Sequence, residues 1–271
     1  MNIQEEYNKL MSEVLYQGKK KSDRTGTGTL SVFGRTIRHD MSEGFPLLTT
    51  KKVWFNAALT EILWILQGRT DITYLQDHKV HYWDADYKRS GRTDNTLGPV
   101  YGKQWRDFGG VDQLKNLLAE IKSNPDSRRL IVSAWNPIEM DDMALPPCHY
   151  GFQVYINDGV IDLMWQQRSV DIFLGLPYDI AMYGLLLEFL AKGNGLKAGS
   201  LIGQLGDCHL YSNHIKQASE QLERYMHELP TISVEHGLYL DNDAIFMPVH
   251  NSVSLNNYKS HPSILAPLSV G

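Results

Sequence analysis

Between residues 3 and 17 apolar side chains recur at helical spacing: Ile3, Tyr7, Leu10, Met11, Val14 and Leu15 share one face, which predicts an amphipathic helix laid against a core. Residues 57–67 are apolar nearly all round except for Glu61, so the helix they predict is buried, and an unpaired carboxylate inside it would be costly. Either an ion pair satisfies Glu61, or it faces a polar cavity as a carboxyl of raised pKa that moves protons through water. Residues 152–157 and 160–166 are β-rich and flank Asp158-Gly159, a pair that type I′ hairpin turns favour. Residues 180–191 predict a third, strongly apolar helix, and residues 130–135 read as a buried strand behind an arginine pair. Helices and strands mix without strict alternation, which predicts an α/β (α+β) fold around one mixed β-sheet with flanking helices. Residues 90–95 are polar enough for an exposed loop, but no repeat or linker divides the chain. Residues 1–271 are therefore expected to form a single domain.

Charge narrows the function. A formal charge of -5 disfavours generic nucleic-acid binding, which shows as a basic domain or stripe, so an anionic ligand must be held by local arginines. The two cysteines are Cys148 and Cys208, with no signal-peptide pattern and no apolar run approaching ~18 residues. The expectation is a reduced, cytoplasmic protein (host cytoplasm if phage-encoded) with no membrane association and no structural disulfide.

Cys148 ends Leu145-Pro146-Pro147-Cys148-His149, where two prolines make a rigid approach to a thiol beside an imidazole. A cysteine attacks as thiolate and needs a cationic neighbourhood; Arg168 and His149 are the candidates. Arginines recur beside small polar residues: Arg24 in 23–29, Arg128-Arg129 after 124–127, and Arg168-Ser169. Guanidinium forks in such settings suit a phosphate monoester, although any one of them alone reads as a surface ion pair. The Thr-Gly-Thr-Gly-Thr stretch lacks the spacing and lysine of a nucleotide loop. The segment 208–214 matches no zinc pattern, so no metal is expected. Trp54, Trp64, Trp105 and Trp135 read as core or cleft aromatics.

The segments 23–29 (DRTGTGT), 45–52 (FPLLTTKK), 61–68 (EILWILQG), 97–106 (LGPVYGKQWR), 124–136 (NPDSRRLIVSAWN), 145–149 (LPPCH), 167–181 (QRSVDIFLGLPYDIA) and 206–214 (GDCHLYSNH) closely resemble thymidylate synthase and its pyrimidine hydroxymethylase relatives, essentially end to end. The resemblance implies a homodimer on a mixed sheet that uses 5,10-methylenetetrahydrofolate to alkylate C5 of a pyrimidine deoxynucleotide, with no metal and no nucleic acid required. Cys148 would add to C6 of the base. Arg24, Arg168 and Ser169 would grip the 5′-phosphate with Arg128 and Arg129 reaching in from the other subunit, Gln167 would join the substrate set, and His209 and Tyr211 would hold the sugar hydroxyl. Glu61 and Tyr101 would manage protons. Asp171 would bind the pterin and border the nucleotide, Trp83, Leu174 and Gly175 would line the folate pocket, and Lys51 or Lys52 would meet its acidic tail.

Departures from the family pattern refine this. Asp179 stands where synthases carry asparagine. An amide complements uracil, whose N3–H donates and O4 accepts; cytosine presents the reverse, an N3 acceptor and an N4 donor. Protonated Asp179 supplies the reverse pattern, as does ionised Asp179 against N3-protonated cytosine, which favours dCMP over dUMP. Asp86 replaces the usual second tryptophan, Gln166 a tyrosine and Gly203 a further tryptophan; all three are expected to admit water, directing the product to hydroxymethyl. The tail, residues 266–271, is synthase-like and suited to closing over the site. The readings, in order, are dCMP hydroxymethylase, dCMP methylase, and dUMP thymidylate synthase. A nucleotide- or RNA-binding regulator that has kept the fold is the non-enzymatic alternative.

Overall fold

The spacing seen at the N-terminus becomes α1 (Ile3–Gln17), whose face of Ile3, Tyr7, Leu10, Met11 and Val14 is buried. Asn2 caps it by accepting from the Gln4 N–H at 2.9 Å. The computed structural model describes residues 2–269. The remaining helices are α2 (Phe55–Leu66), α3 (Ile72–Asp77), α4 (Asp84–Arg89), α5 (Tyr101–Arg106), α6 (Gln113–Ser123), α7 (Leu176–Gly193) and α8 (Ile215–Leu222). The main strands are β1 (Lys19–Lys21), β2 (Thr29–Asp40), β3 (Ile131–Ser133), β4 (His149–Asn157), β5 (Val160–Asp171) and β6 (Lys197–Tyr211). They form one sheet in the order β1-β2-β6-β5-β4-β3.

The sheet is mixed because of one connection. β5 and β6 pair in parallel while every other neighbouring pair is antiparallel, and α7 is the crossover that a parallel pair requires. α7 packs on β5 and β6, α2 packs on α7, and α1 packs on β2. The core lies between these helices and one face of the sheet, around Trp64, Trp105, Phe152, Trp165 and Tyr183.

β4 and β5 are the predicted hairpin, joined through Asp158 (φ 47°) and Gly159 (φ 76°), the two positive φ values of a type I′ turn. Two element boundaries differ from expectation. Residues 130–135 are not a buried strand: only Ile131–Ser133 pairs, at the sheet edge, where Leu130, Val132 and Ala134 are buried but Ile131 and Trp135 are 52% and 40% exposed. An edge strand covered on one face alternates in this way. α7 begins four residues before the predicted position 180, with Pro177 inside its first turn, where a missing N–H costs little. That shift carries Asp179 into the helix.

Candidate functional site

A cleft of about 380 Å³ opens at the carboxyl ends of the parallel pair β5 and β6, where open sheets with crossovers characteristically bind ligands. Cys148, immediately before β4, lines it with Arg168, Ser169 and Asp171 from the end of β5 and His209 and Tyr211 from the end of β6. Sheet register places Ser169 opposite Asp207 and Asp171 opposite His209. Arg24 joins from the loop between β1 and β2. That loop is folded around Asp23, whose carboxylate accepts from the backbone N–H of Thr25 (2.8 Å) and of Gly28 (2.6 Å). Residues far apart in sequence thus converge on one concavity.

Arg168 holds the segment that leads to Cys148. Its Nε donates to the Pro147 carbonyl (2.8 Å) and its NH2 to the Pro146 carbonyl (3.0 Å). The Cys148 N–H donates to the Tyr101 hydroxyl at 2.9 Å. Burial pushes the Cys148 thiol up to about 11; Arg168 opposes this, while Asp179, Asp86 and Asp171 add to it. His149 is not a cation that activates the thiol. It is buried, its pKa falls to about 3 by burial, and its Nδ1 pairs with the Tyr183 hydroxyl at 2.8 Å. Its ring stacks on Tyr101, with centroids 4.3 Å apart.

A polar layer lies behind the cleft. Glu61 is buried without a cationic partner among the described residues; it accepts from the Tyr82 hydroxyl and from Trp83 Nε1, both at 2.7 Å. Burial raises its pKa, and these two donors oppose the rise. Trp83 is buried against Glu61 and Tyr101, not among the residues lining the cleft. Asp179 sits in the first turn of α7, where Gln167 Nε2 donates to its Oδ2 at 2.8 Å. Burial lifts its pKa to about 7, Glu61 and Asp171 add to the rise, and Gln167 opposes it. Asp171 Oδ1 accepts from the backbone N–H groups of Phe173 (3.0 Å) and Leu174 (3.1 Å), shaping the turn that leads through Gly175 into α7.

At the β6 end of the cleft, His209 Nδ1 lies 3.5 Å from Asp207 Oδ1. Burial lowers the His209 pKa, but Asp207 and Asp171 outweigh it and the net shift is upward. Asp207 is held well below the usual carboxylate range by His209, Lys21 and Ser31 against the opposing effect of burial. Tyr211 meets His209 edge-on at 5.2 Å.

The remaining candidates lie elsewhere. Arg128 and Arg129 are exposed just before β3 and outside this cleft. Lys51 turns inward: its Nζ donates to the Phe173 carbonyl, and burial lowers its pKa to about 7. Lys52 faces out, with Nζ 4.7 Å from the centre of the exposed Trp54 ring. Of the three departures expected to admit water, Asp86 lines the cleft and pairs with Arg89 at 2.5 Å. Gln166 does not. Its Nε2 turns back to the Met164 carbonyl at 3.4 Å. Gly203 leaves no void either, because Trp165 on the neighbouring strand fills the space: a Cβ at 203 would lie 2.5 Å from its ring.

Sequence reasoning missed Tyr82, Asp207 and Trp165. Asp207 was within reach, since strand alternation from His209 puts it on the same face; Trp165 gave no signal apart from Gly203. From the tail, Leu268 and Ser269 line the cleft and the Pro267 carbonyl pairs with His214 Nε2 at 2.7 Å, while residues 270 and 271 lie outside the described residues. Among the described residues no group of three or more His, Cys, Asp or Glu could hold a metal ion, and no helix is long and apolar enough to cross a membrane. A family model described as thymidylate synthase matches residues 5–270.

Proposed function

The chain belongs to the thymidylate synthase family, and on that premise we propose that it hydroxymethylates C5 of dCMP. Membership implies folate-dependent one-carbon transfer to C5 of a pyrimidine nucleotide; the base and the product are the proposal. The observation that carries it is Asp179, a carboxyl at the synthase asparagine position, desolvated so that it holds a proton to about pH 7 and fixed by Gln167. A carboxyl that carries its proton on the oxygen facing N3 donates to N3 and accepts from N4 of cytosine, whereas with the proton held there uracil leaves one such group unpaired. Site-built hydrogen bonds of this kind discriminate by about 10⁴.

Arg24, Arg168 and Ser169 line the cleft as a phosphate cradle, and the ordered His209–Asp207 pair suits a sugar hydroxyl. Cys148 Sγ then adds to C6 of the bound base, which raises electron density at C5. Because burial holds the thiol's proton to about pH 11, it must lose that proton as the base is seated, with Arg168 favouring the thiolate. Glu61, hydrogen-bonded by Tyr82 and Trp83, is placed to handle protons at the base. Bound 5,10-methylenetetrahydrofolate supplies the one-carbon unit. The chain's residues fit it: Asp171 at the cleft suits the pterin, and exposed Lys52 over Trp54 suits a carboxylate tail better than buried Lys51.

Water as the terminal reactant is supported by Asp86, a carboxylate in the cleft where a second tryptophan is usual. Leu268 and Ser269 at the same cleft favour a second reading, water exclusion and a methyl product on dCMP. Mass analysis of the nucleotide product with absorbance detection of dihydrofolate separates them. Hydroxymethyl-dCMP without dihydrofolate is expected; methyl-dCMP with dihydrofolate supports the second reading, and preferred turnover of dUMP would overturn both.

A further inference from the structure

Trp165 is buried in β5, and its indole N–H donates to Gln167 Oε1 at 3.1 Å. Gln167 Nε2 then donates to the Ser169 carbonyl (3.1 Å) and to Asp179 Oδ2 (2.8 Å). An indole N–H can only donate, and a carbonyl can only accept. Both therefore force the same orientation on the Gln167 amide: oxygen toward Trp165, nitrogen toward Ser169 and Asp179. A flipped amide would set N–H against N–H at Trp165 and oxygen against oxygen at Ser169.

That orientation has a consequence at Asp179. Its Oδ2 is committed to accepting, so a proton on the carboxyl belongs on Oδ1, which makes no hydrogen bond among the described residues. With the amide flipped, Gln167 Oε1 would draw the proton to Oδ2 and leave Oδ1 a pure acceptor, an edge suited to uracil N3–H. The tryptophan can stand here only because position 203, its register partner on β6, is glycine; a Cβ there would meet Cζ2 and Cη2 at 2.5 and 2.6 Å. Stacking on Tyr183, at 5.3 Å and 8° between planes, holds the indole flat.

We propose that Trp165 is a specificity-positioning residue: together with the Ser169 carbonyl it fixes the Gln167 amide and so the edge Asp179 presents to the base, and Gly203 is the space that admits it. This rests on the reading that Asp179 selects cytosine. Trp165→Phe keeps an aromatic ring against Tyr183 and removes the donor, at the cost of a void beside Gly203 that lowers stability without favouring either base. Since one hydrogen bond holds a preference of roughly tenfold, the dCMP-over-dUMP ratio of kcat/KM is expected to fall about tenfold, with dUMP turnover rising while dCMP turnover falls. General loosening of the fold would lower both together. Gln167→Leu removes the whole relay, and should the Phe variant fail to fold, it is expected to lose the preference at least as far. Wild-type preference for dCMP with a ratio unchanged in the folded variant, or with both substrates reduced equally, would overturn the role of Trp165. Wild-type preference for dUMP would instead overturn the reading of Asp179.

Discussion

Asp179 couples protonation to stability because its carboxyl is desolvated and only partly offset by the Gln167 hydrogen bond. In the unfolded chain it ionises near 3.8; in the fold, burial with Glu61 and Asp171 holds the proton to about 7. The folded state therefore binds the extra proton, so the group makes folding progressively less favourable as pH rises from about 4 to 7, with no further change above. Asp179→Asn removes the titration. Its stability advantage over the wild type is expected to grow by roughly 2–3 kcal/mol between pH 5 and pH 8, read by urea denaturation at the two values; a constant difference would mean that the carboxyl ionises normally.

The β4–β5 hairpin shows how an element positions chemistry at a distance. Cys148 and Arg168 lie at one end of it, the Asp158-Gly159 turn at the other, about 30 Å away for nine residues of strand. A Cβ at Gly159 would meet nothing within 4 Å, but the residue holds φ +76°. Gly159→Ala should therefore destabilise by about 1–2 kcal/mol through backbone strain alone, measured by urea midpoint, with kcat/KM unchanged; loss of turnover without unfolding would argue that strain reaches the site. This turn was legible in the sequence because its signal is local. So were α1 and α2, whose periodicity needs no partner to interpret. The start of α7 was missed because Leu176-Pro177 reads as a breaker unless the helix is known to begin there. β3 was misread because an edge strand and a buried strand differ in their neighbours, not in their apolar content. Gly203 was misread for a related reason: a tryptophan lost from one strand is replaced by one on the adjacent strand, a compensation visible only in the β5–β6 register. The motifs singled out Glu61, Gln167 and His209, whereas the side chains that pair with them, Tyr82, Trp165 and Asp207 respectively, are defined by packing.

For the whole molecule, the decisive question is whether one chain holds a complete site. Arg24 and Arg168 line the cleft, whereas Arg128 and Arg129 are exposed before the edge strand β3, with Arg129 in a separate depression beside Gln113 and Glu120. Two adjacent arginines in this position would serve the phosphate of another copy, as the homodimer implied by the family resemblance requires; we propose that they do. Cys148→Ala should be inactive, and the double variant Arg128→Ala/Arg129→Ala should bind the nucleotide weakly. In a dimer built from one of each, the site containing intact Cys148 receives intact arginines from its partner, while the other site lacks both. Random pairing makes half the dimers mixed, so co-expression is expected to restore about a quarter of wild-type turnover from two defective chains. Recovery should track the fraction of mixed dimers, separated by differential tags. Mixed dimers that form without regaining activity would show that Arg128 and Arg129 do not complete a neighbouring site.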